Sequence, residues 1–192
     1  MDFSNLGLSA PLLEAITKAK YENAFRIQVK AIPAILRKKD VWGLAPTGSG
    51  KTAAYVLPIL EMLQGKPFVR SRSMPVLVLV PTRELATQVE EKVRIFSEFL
   101  PRKVKTLAVF GGVSINPQMV NIYGTEILIG TPGRLLDLIS KNAVDLSELE
   151  MLVLDEADKM LNLGFKEEVD DILSRLPKNV RTFFFRLLWR NP

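Results

Sequence analysis

Short, largely apolar runs recur along the chain at Val41–Leu44, Val76–Val80, Thr106–Phe110, Glu126–Gly130, Met151–Leu154 and Thr182–Phe185. Nearly every one stops at a cluster of Gly, Pro, Thr or acidic residues. Val76-Leu77-Val78-Leu79-Val80 has no polar alternation, as expected of a strand covered on both faces in a parallel sheet. Between the runs lie stretches with helical spacing, such as Leu85, Val89, Val93, Phe96 and Leu100, then Phe165, Val169, Ile172 and Leu176. Strands alternating with helices predict an α/β fold, a doubly wound, mostly parallel sheet with right-handed crossovers. Ligands of such sheets bind at the carboxyl ends of the strands, where this chain places its polar clusters.

The first cluster is Ala45-Pro46-Thr47-Gly48-Ser49-Gly50-Lys51-Thr52. It follows a strand and opens a predicted helix, Lys51–Gln64, so it reads as the phosphate-binding loop of a nucleoside triphosphatase. Glycines let the backbone approach phosphate closely, and successive N–H groups at a helix start form an anion nest. Lys51 would lie on the β- and γ-phosphates and the Thr52 hydroxyl would ligate Mg²⁺. An ordinary glycine turn is the plainer alternative.

Asp155-Glu156-Ala157-Asp158 follows the run Met151–Leu154. A carboxylate there can hold Mg²⁺ from the side opposite Thr52, through water, and the adjacent Glu156 can accept a proton from an attacking water. Acidic residues also complement a helix dipole, which is the alternative for this pair taken alone. The 192 residues contain no Cys and no His. Disulfides, Cys/His zinc sites, thiol nucleophiles and imidazole bases are thereby excluded, and any cation must be held by oxygen. A net charge of +5 favours a polyanionic partner. No apolar run is long enough to span a bilayer and no signal peptide opens the chain, so a reducing cytoplasm is the expected setting.

Elsewhere the reading is local. Met1–Lys20 holds a small helix with Ser9 as N-cap and Leu12, Leu13 and Ile16 on one face. A second helical stretch, 21–36, carries Ile27, Ala31, Ile32 and Ile35. From the residues alone, Gln28 reads as a helix-surface glutamine. Gly65–Pro75 is a surface connection. Thr82 and Thr131 are helix caps, Pro132 being the first helical residue after Thr131.

Taken in order, Ala-x-Thr-Gly-Ser-Gly-Lys-Thr (45–52), Pro-Thr-Arg-Glu-Leu-Ala (81–86), Gly-Gly (111–112), Thr-Pro-Gly-Arg (131–134) and Asp-Glu-Ala-Asp (155–158) resemble the first RecA-like domain of DEAD-box RNA helicases. Val109–Gln118 further resembles the bacterial RhlE-like branch. The resemblance implies an ATP-dependent RNA helicase with ATP and Mg²⁺ as cofactors and RNA as partner. Lys51, Asp155 and Glu156 would be catalytic, with Thr52 and Asp155 at the metal. Gln28 would read adenine, Phe3 would stack on the base and Tyr21 would lie beside it. Pro81, Thr82, Arg83, Gly111, Gly112, Thr131, Pro132, Gly133 and Arg134 would grip the RNA backbone, largely without regard to sequence.

The implied layout is an adenine-recognition segment at 1–40, the RecA-like domain at 41–185 and a divergent tail at 186–192. Several departures stand out. Ala45 occupies the usual first glycine of the loop, and Pro46, which has no N–H, replaces a glutamine. Ala24-Phe25-Arg26-Ile27-Gln28 stands where the family has Pro-Thr-Pro-Ile-Gln. After Phe185 the family's Ser-Ala-Thr is missing, as is a second RecA-like domain. This implies a truncated or frameshifted helicase, inactive alone, or a non-catalytic nucleotide- and RNA-binding module. A small phosphoryl-transfer kinase would fit the loop and length but leaves 81–86 and 131–134 unexplained. The family also places Thr182–Phe185 inside the sheet, with Phe184 as the residue whose truncation reports its burial.

Overall fold

The computed structural model describes residues 1–46 and 48–187. Thr47, a predicted loop residue, and 188–192, most of the predicted tail, lie outside the described residues. Six strands form one sheet, β1 (Val41–Ala45), β2 (Val76–Leu79), β3 (Thr106–Val109), β4 (Ile127–Gly130), β5 (Met151–Asp155) and β6 (Arg181–Leu187). Every pairing is parallel, in the order β1-β6-β5-β2-β4-β3. The helices are α1 (Ala10–Lys18), α2 (Arg26–Leu36), α3 (Lys51–Gln64), α4 (Arg83–Phe96), α5 (Asn116–Asn121), α6 (Pro132–Ser140), α7 (Ala157–Asn162) and α8 (Lys166–Ser174), preceded by a 3-10 turn at Phe3–Leu6.

The apolar runs explain this architecture directly. Successive side chains of a strand point to opposite faces, so each continuous run supplies two cores. Val76, Val78, Ile127, Ile129, Met151, Val153, Phe183 and Phe185 join α1 to α4 in one core. Leu77, Leu79, Leu128, Leu152 and Leu154 join α6, α7 and α8 in the other. Each such side chain contributes about 1.5–3 kcal/mol by leaving water.

β6 lies between β1 and β5, as the resemblance implies. Phe184 is not the buried reporter, however. Strand alternation sends Phe183 and Phe185 into the first core, fully buried. Phe184 turns to the other face and lies half-buried against Trp42, ring centroids 4.7 Å apart.

Local differences from the sequence reading have simple causes. The helical stretch expected from 21 begins only at Arg26. The helix expected after β5 is two helices, broken where Gly164 takes φ +86°; Leu176 falls beyond the second and Leu100 beyond α4. Thr82 does cap α4, its hydroxyl accepting from the Leu85 N–H at 3.2 Å. Ser9 and Thr131 hold extended N-cap backbone without a side-chain cap. The Ser9 N–H donates instead to Glu61 Oε2 at 2.8 Å. No helix among the described residues is long and apolar enough to cross a membrane.

Candidate functional site

β1 delivers the chain to the glycine-rich loop, and α3 departs from it at Lys51. Lys51 is buried, and its ammonium donates to the carbonyls of Ala45 (2.9 Å) and Pro46 (3.1 Å). Ser49 Oγ also donates to the Pro46 carbonyl, at 2.7 Å. The turn therefore closes on its own carbonyls, with the lysine charge held at its mouth. Gly50 adopts φ +81° and is pressed between Gln28 and Phe25, whose ring a β-carbon there would meet at 3.0 Å.

Gln28 is fully buried, unlike a surface glutamine. Its Oε1 accepts from the Phe25 N–H at 2.8 Å and its Nε2 donates to the Gly50 carbonyl at 3.1 Å. One carboxamide thus ties the first turn of α2 to the loop. Phe25, which the sequence analysis gives no site role, is half-exposed and lines a cleft of about 720 Å³ with Arg26, Lys30, Leu44, Ala45, Pro46 and Ser49. Phe3 and Tyr21 are not brought to this cleft. They pack edge-on with centroids 6.4 Å apart, and Tyr21 packs on Phe96 at 5.5 Å.

β5 carries Asp155 to the same end of the sheet, beside β6. The carboxyl is 2 % exposed. Its Oδ2 accepts from the Tyr55 hydroxyl at 2.8 Å, whereas Oδ1 is buried with no hydrogen-bond partner among the described residues. Burial pushes the Asp155 pKa up to about 6; the Tyr55 hydrogen bond pulls it down, the Glu156 charge pushes it up, and the Lys51 charge and the nearby Glu156 backbone N–H pull it down. Burial, then the charge of Asp155, holds the Tyr55 phenol well above its ordinary value, with the Thr52 hydroxyl pulling the other way. Glu156 sits at φ 52°, ψ 44°, a left-handed conformation costly for a residue with a β-carbon. Its carboxylate lies 3.5 Å from Lys159 Nζ. Tyr55 was missed in the sequence because it hides within an apolar helix; its spacing from Thr52, one turn along α3, is the signal that could have found it.

The remaining clusters follow β2, β3 and β4, which are neighbours in the order β2-β4-β3. Pro81 and Thr82, Gly111 and Gly112, and Thr131, Pro132 and Gly133 therefore form one row along the carboxyl edge. Gly111 and Gly112 are exposed, and Gly133 has open space around it. The row is knitted together by the Thr131 N–H, which donates to the Val109 carbonyl at 3.2 Å. Arg83 is exposed and pairs with Glu84 at 2.7 Å. Arg134 behaves differently. It is 9 % exposed and Nη2 donates to the Val113 carbonyl at 2.8 Å, while Nε and Nη1 are buried without hydrogen-bond partners among the described residues. It braces α6 against the glycine loop from inside.

The chain is similar to known proteins. The family model described as DEAD/DEAH box helicase matches residues 25–185. The "ATP-dependent RNA helicase DeaD" of Klebsiella pneumoniae is 46% identical over 95% of this chain and 28% of its own length. The "DEAD-box ATP-dependent RNA helicase CshA" of Streptococcus pneumoniae is 46% identical over 96% of this chain and 34% of its own length. The chain thus spans about a third of these relatives. A crystal structure of a DEAD box protein from Methanococcus jannaschii superposes with a TM-score of 0.87 at 34% identity, covering 99% of this chain and 51% of that one. Together with the all-parallel sheet and the loop, Asp155 and glycine clusters at its carboxyl edge, these matches show that the chain belongs to the DEAD/DEAH box helicase family.

Proposed function

We propose that this chain is the ATP- and RNA-binding half of an RNA helicase, with nucleotide held at the β1-β6-β5 end of the sheet and RNA backbone along the β2-β4-β3 end. The observation that carries the reading is Asp155 Oδ1, a buried carboxylate oxygen with no hydrogen-bond partner among the described residues that shares its neighbourhood with Lys51. A buried unsatisfied oxygen is costly, and a hydrated cation supplies the missing donor. Among the described residues no three acidic side chains converge, so the cation would take most of its ligands from phosphate and water, as Mg²⁺ does. Thr52 and Asp155, the latter through water, would hold it. When bound, Mg²⁺ neutralises charge building on the phosphates.

The chain's own residues do the rest. Lys51 leaves the Ala45 and Pro46 carbonyls for phosphate, Gln28, buried in the nucleotide-free chain, is uncovered to offer its remaining donor and acceptor to adenine, and Glu156 takes a proton from the attacking water. Phe25 offers its ring to the cleft. Along the other edge, backbone N–H groups and Arg83 grip phosphate and ribose. Assignment to the RhlE-like branch rests on Val109–Gln118. A cytoplasmic setting, where RNA and ATP meet, belongs to the same reading.

Turnover by this chain alone is expected to be very slow. The resemblance places charge-stabilising arginines in a second domain, and such a residue is worth ~10³–10⁵ in rate. Titration calorimetry with Mg²⁺-ADP tests the site: Lys51→Ala should remove most binding, and equal affinity of the two proteins would refute the assignment. Binding by the wild type with RNA-stimulated turnover near ~1 s⁻¹ would instead show a catalytic mode complete in one domain.

A further inference from the structure

Tyr55 lies three residues after Thr52 on α3, on the face turned to the sheet, and is fully buried. Its ring is packed against Phe185, centroids 5.2 Å apart, and Phe185 stands opposite Asp155 in the β5–β6 register. Its hydroxyl donates to Asp155 Oδ2 at 2.8 Å. The two carboxylate oxygens are therefore unlike, one committed to Tyr55 and the other, Oδ1, without a hydrogen-bond partner among the described residues. A buried aspartate with one oxygen fixed cannot rotate its carboxylate without breaking that bond, and packing on Phe185 fixes the phenol in turn.

We propose that Tyr55 is a positioning residue for Asp155: its hydroxyl locks Oδ2 and so presents Oδ1 alone to a hydrated divalent cation bound with the nucleotide. The inference rests on the reading of Asp155 given above. The same helix that begins with Lys51 and Thr52 thereby sets both sides of the cation site, Thr52 directly and Asp155 through Tyr55. Partners in the outer shell of a metal typically govern its affinity by about 10–100-fold. Such an effect should act on the cation and leave the nucleotide's own contacts alone.

The test uses Tyr55→Phe, which keeps the ring on Phe185 and removes one oxygen. The affinity of Mn²⁺ for the chain–ADP complex is read by water-proton relaxation, and that of metal-free ADP by fluorescence of a labelled nucleotide. Tyr55→Phe should weaken Mn²⁺ binding about 10-fold while changing metal-free ADP binding less than about 2-fold. In an Asp155→Asn background it should change Mn²⁺ affinity no further, since the two residues act as one unit. Unchanged Mn²⁺ affinity in Tyr55→Phe, with Asp155→Asn weakened, overturns this inference and leaves the reading of Asp155 standing. Equal losses of Mn²⁺ and metal-free ADP would mark Tyr55 as a packing residue only and also overturn it. Unchanged Mn²⁺ affinity in Asp155→Asn would remove both. Should Tyr55→Phe fold poorly, denaturant unfolding of the four proteins in the cycle decides whether the hydroxyl–carboxylate bond exists: additive losses would overturn the inference.

Discussion

Gly50 and Gln28 are fitted to each other. The Gln28 amide donates to the Gly50 carbonyl at 3.1 Å, and a β-carbon on Gly50 would collide with that same amide nitrogen. The first turn of α2 and the glycine-rich loop are thus one packed unit, and a residue distant in sequence sets the space available to the loop.

Gly50→Ala should therefore cost more than the ~1–2 kcal/mol of a left-handed alanine, because Gln28 must also move. In a Gln28→Ala background the same change should fall back towards that backbone cost. Urea unfolding of the four proteins measures the coupling. Additive losses would show that the two side chains do not compete for space.

The two faces of β6 should respond unequally to truncation. Phe185→Ala or Phe183→Ala removes a fully buried ring and should cost about 3–5 kcal/mol. Phe184→Ala, on the half-buried face beside Trp42, should cost no more than about half of that. Equal costs from denaturant midpoints would contradict the alternation described for this strand.

Asp155 gives stability a pH dependence of known sign. Its folded pKa, about 6, lies above the ordinary 3.8, so the folded chain holds a proton that the unfolded chain releases. Its contribution is full below the unfolded value and is lost as pH rises through 6. Relative to Asp155→Asn, the nucleotide-free wild type should lose up to about 3 kcal/mol between about pH 4 and about pH 7. Parallel stability curves for the two proteins over that range would show the carboxyl to be better solvated than its burial indicates.

Arg83 and Arg134 should separate in RNA binding. Arg83 is exposed, so Arg83→Ala should reduce the slope of log affinity against log salt by about 0.7–1, the loss of one phosphate contact. Arg134 is buried on the Val113 carbonyl, so Arg134→Ala should lower the melting temperature and leave the slope as it was. Fluorescence anisotropy with labelled single-stranded RNA at several salt concentrations distinguishes the two. A slope change in Arg134→Ala would mean that the guanidinium turns outward to reach RNA.

The central strands β2, β4 and β5 were legible because burial on both faces leaves little choice but unbroken Val, Leu, Ile and Met, and the bounds of α3 because Gly50 and Gly65 flank it. What escaped the sequence were directions rather than elements. Gln28 and Arg134 are polar residue types that usually face water, and only the packing of α2 on the loop and of α6 on the glycine turn shows that both point inward. Tyr55 was hidden by its apolar neighbours, and Phe184 among three identical residues whose facing depends on register. Gly164 divides α7 from α8 inside what reads as one amphipathic period.

Trp42 stands on β1 three residues before Ala45, 70 % exposed and leaning on Phe184. The sequence has two tryptophans, so replacing Trp189 with Phe leaves a single indole at the entrance of the loop. Its emission is a built-in optical reporter there. A colour shift on adding nucleotide would register rearrangement of the strand that feeds Lys51, and a shift on adding urea would register separation of β1 from β6, without any attached dye.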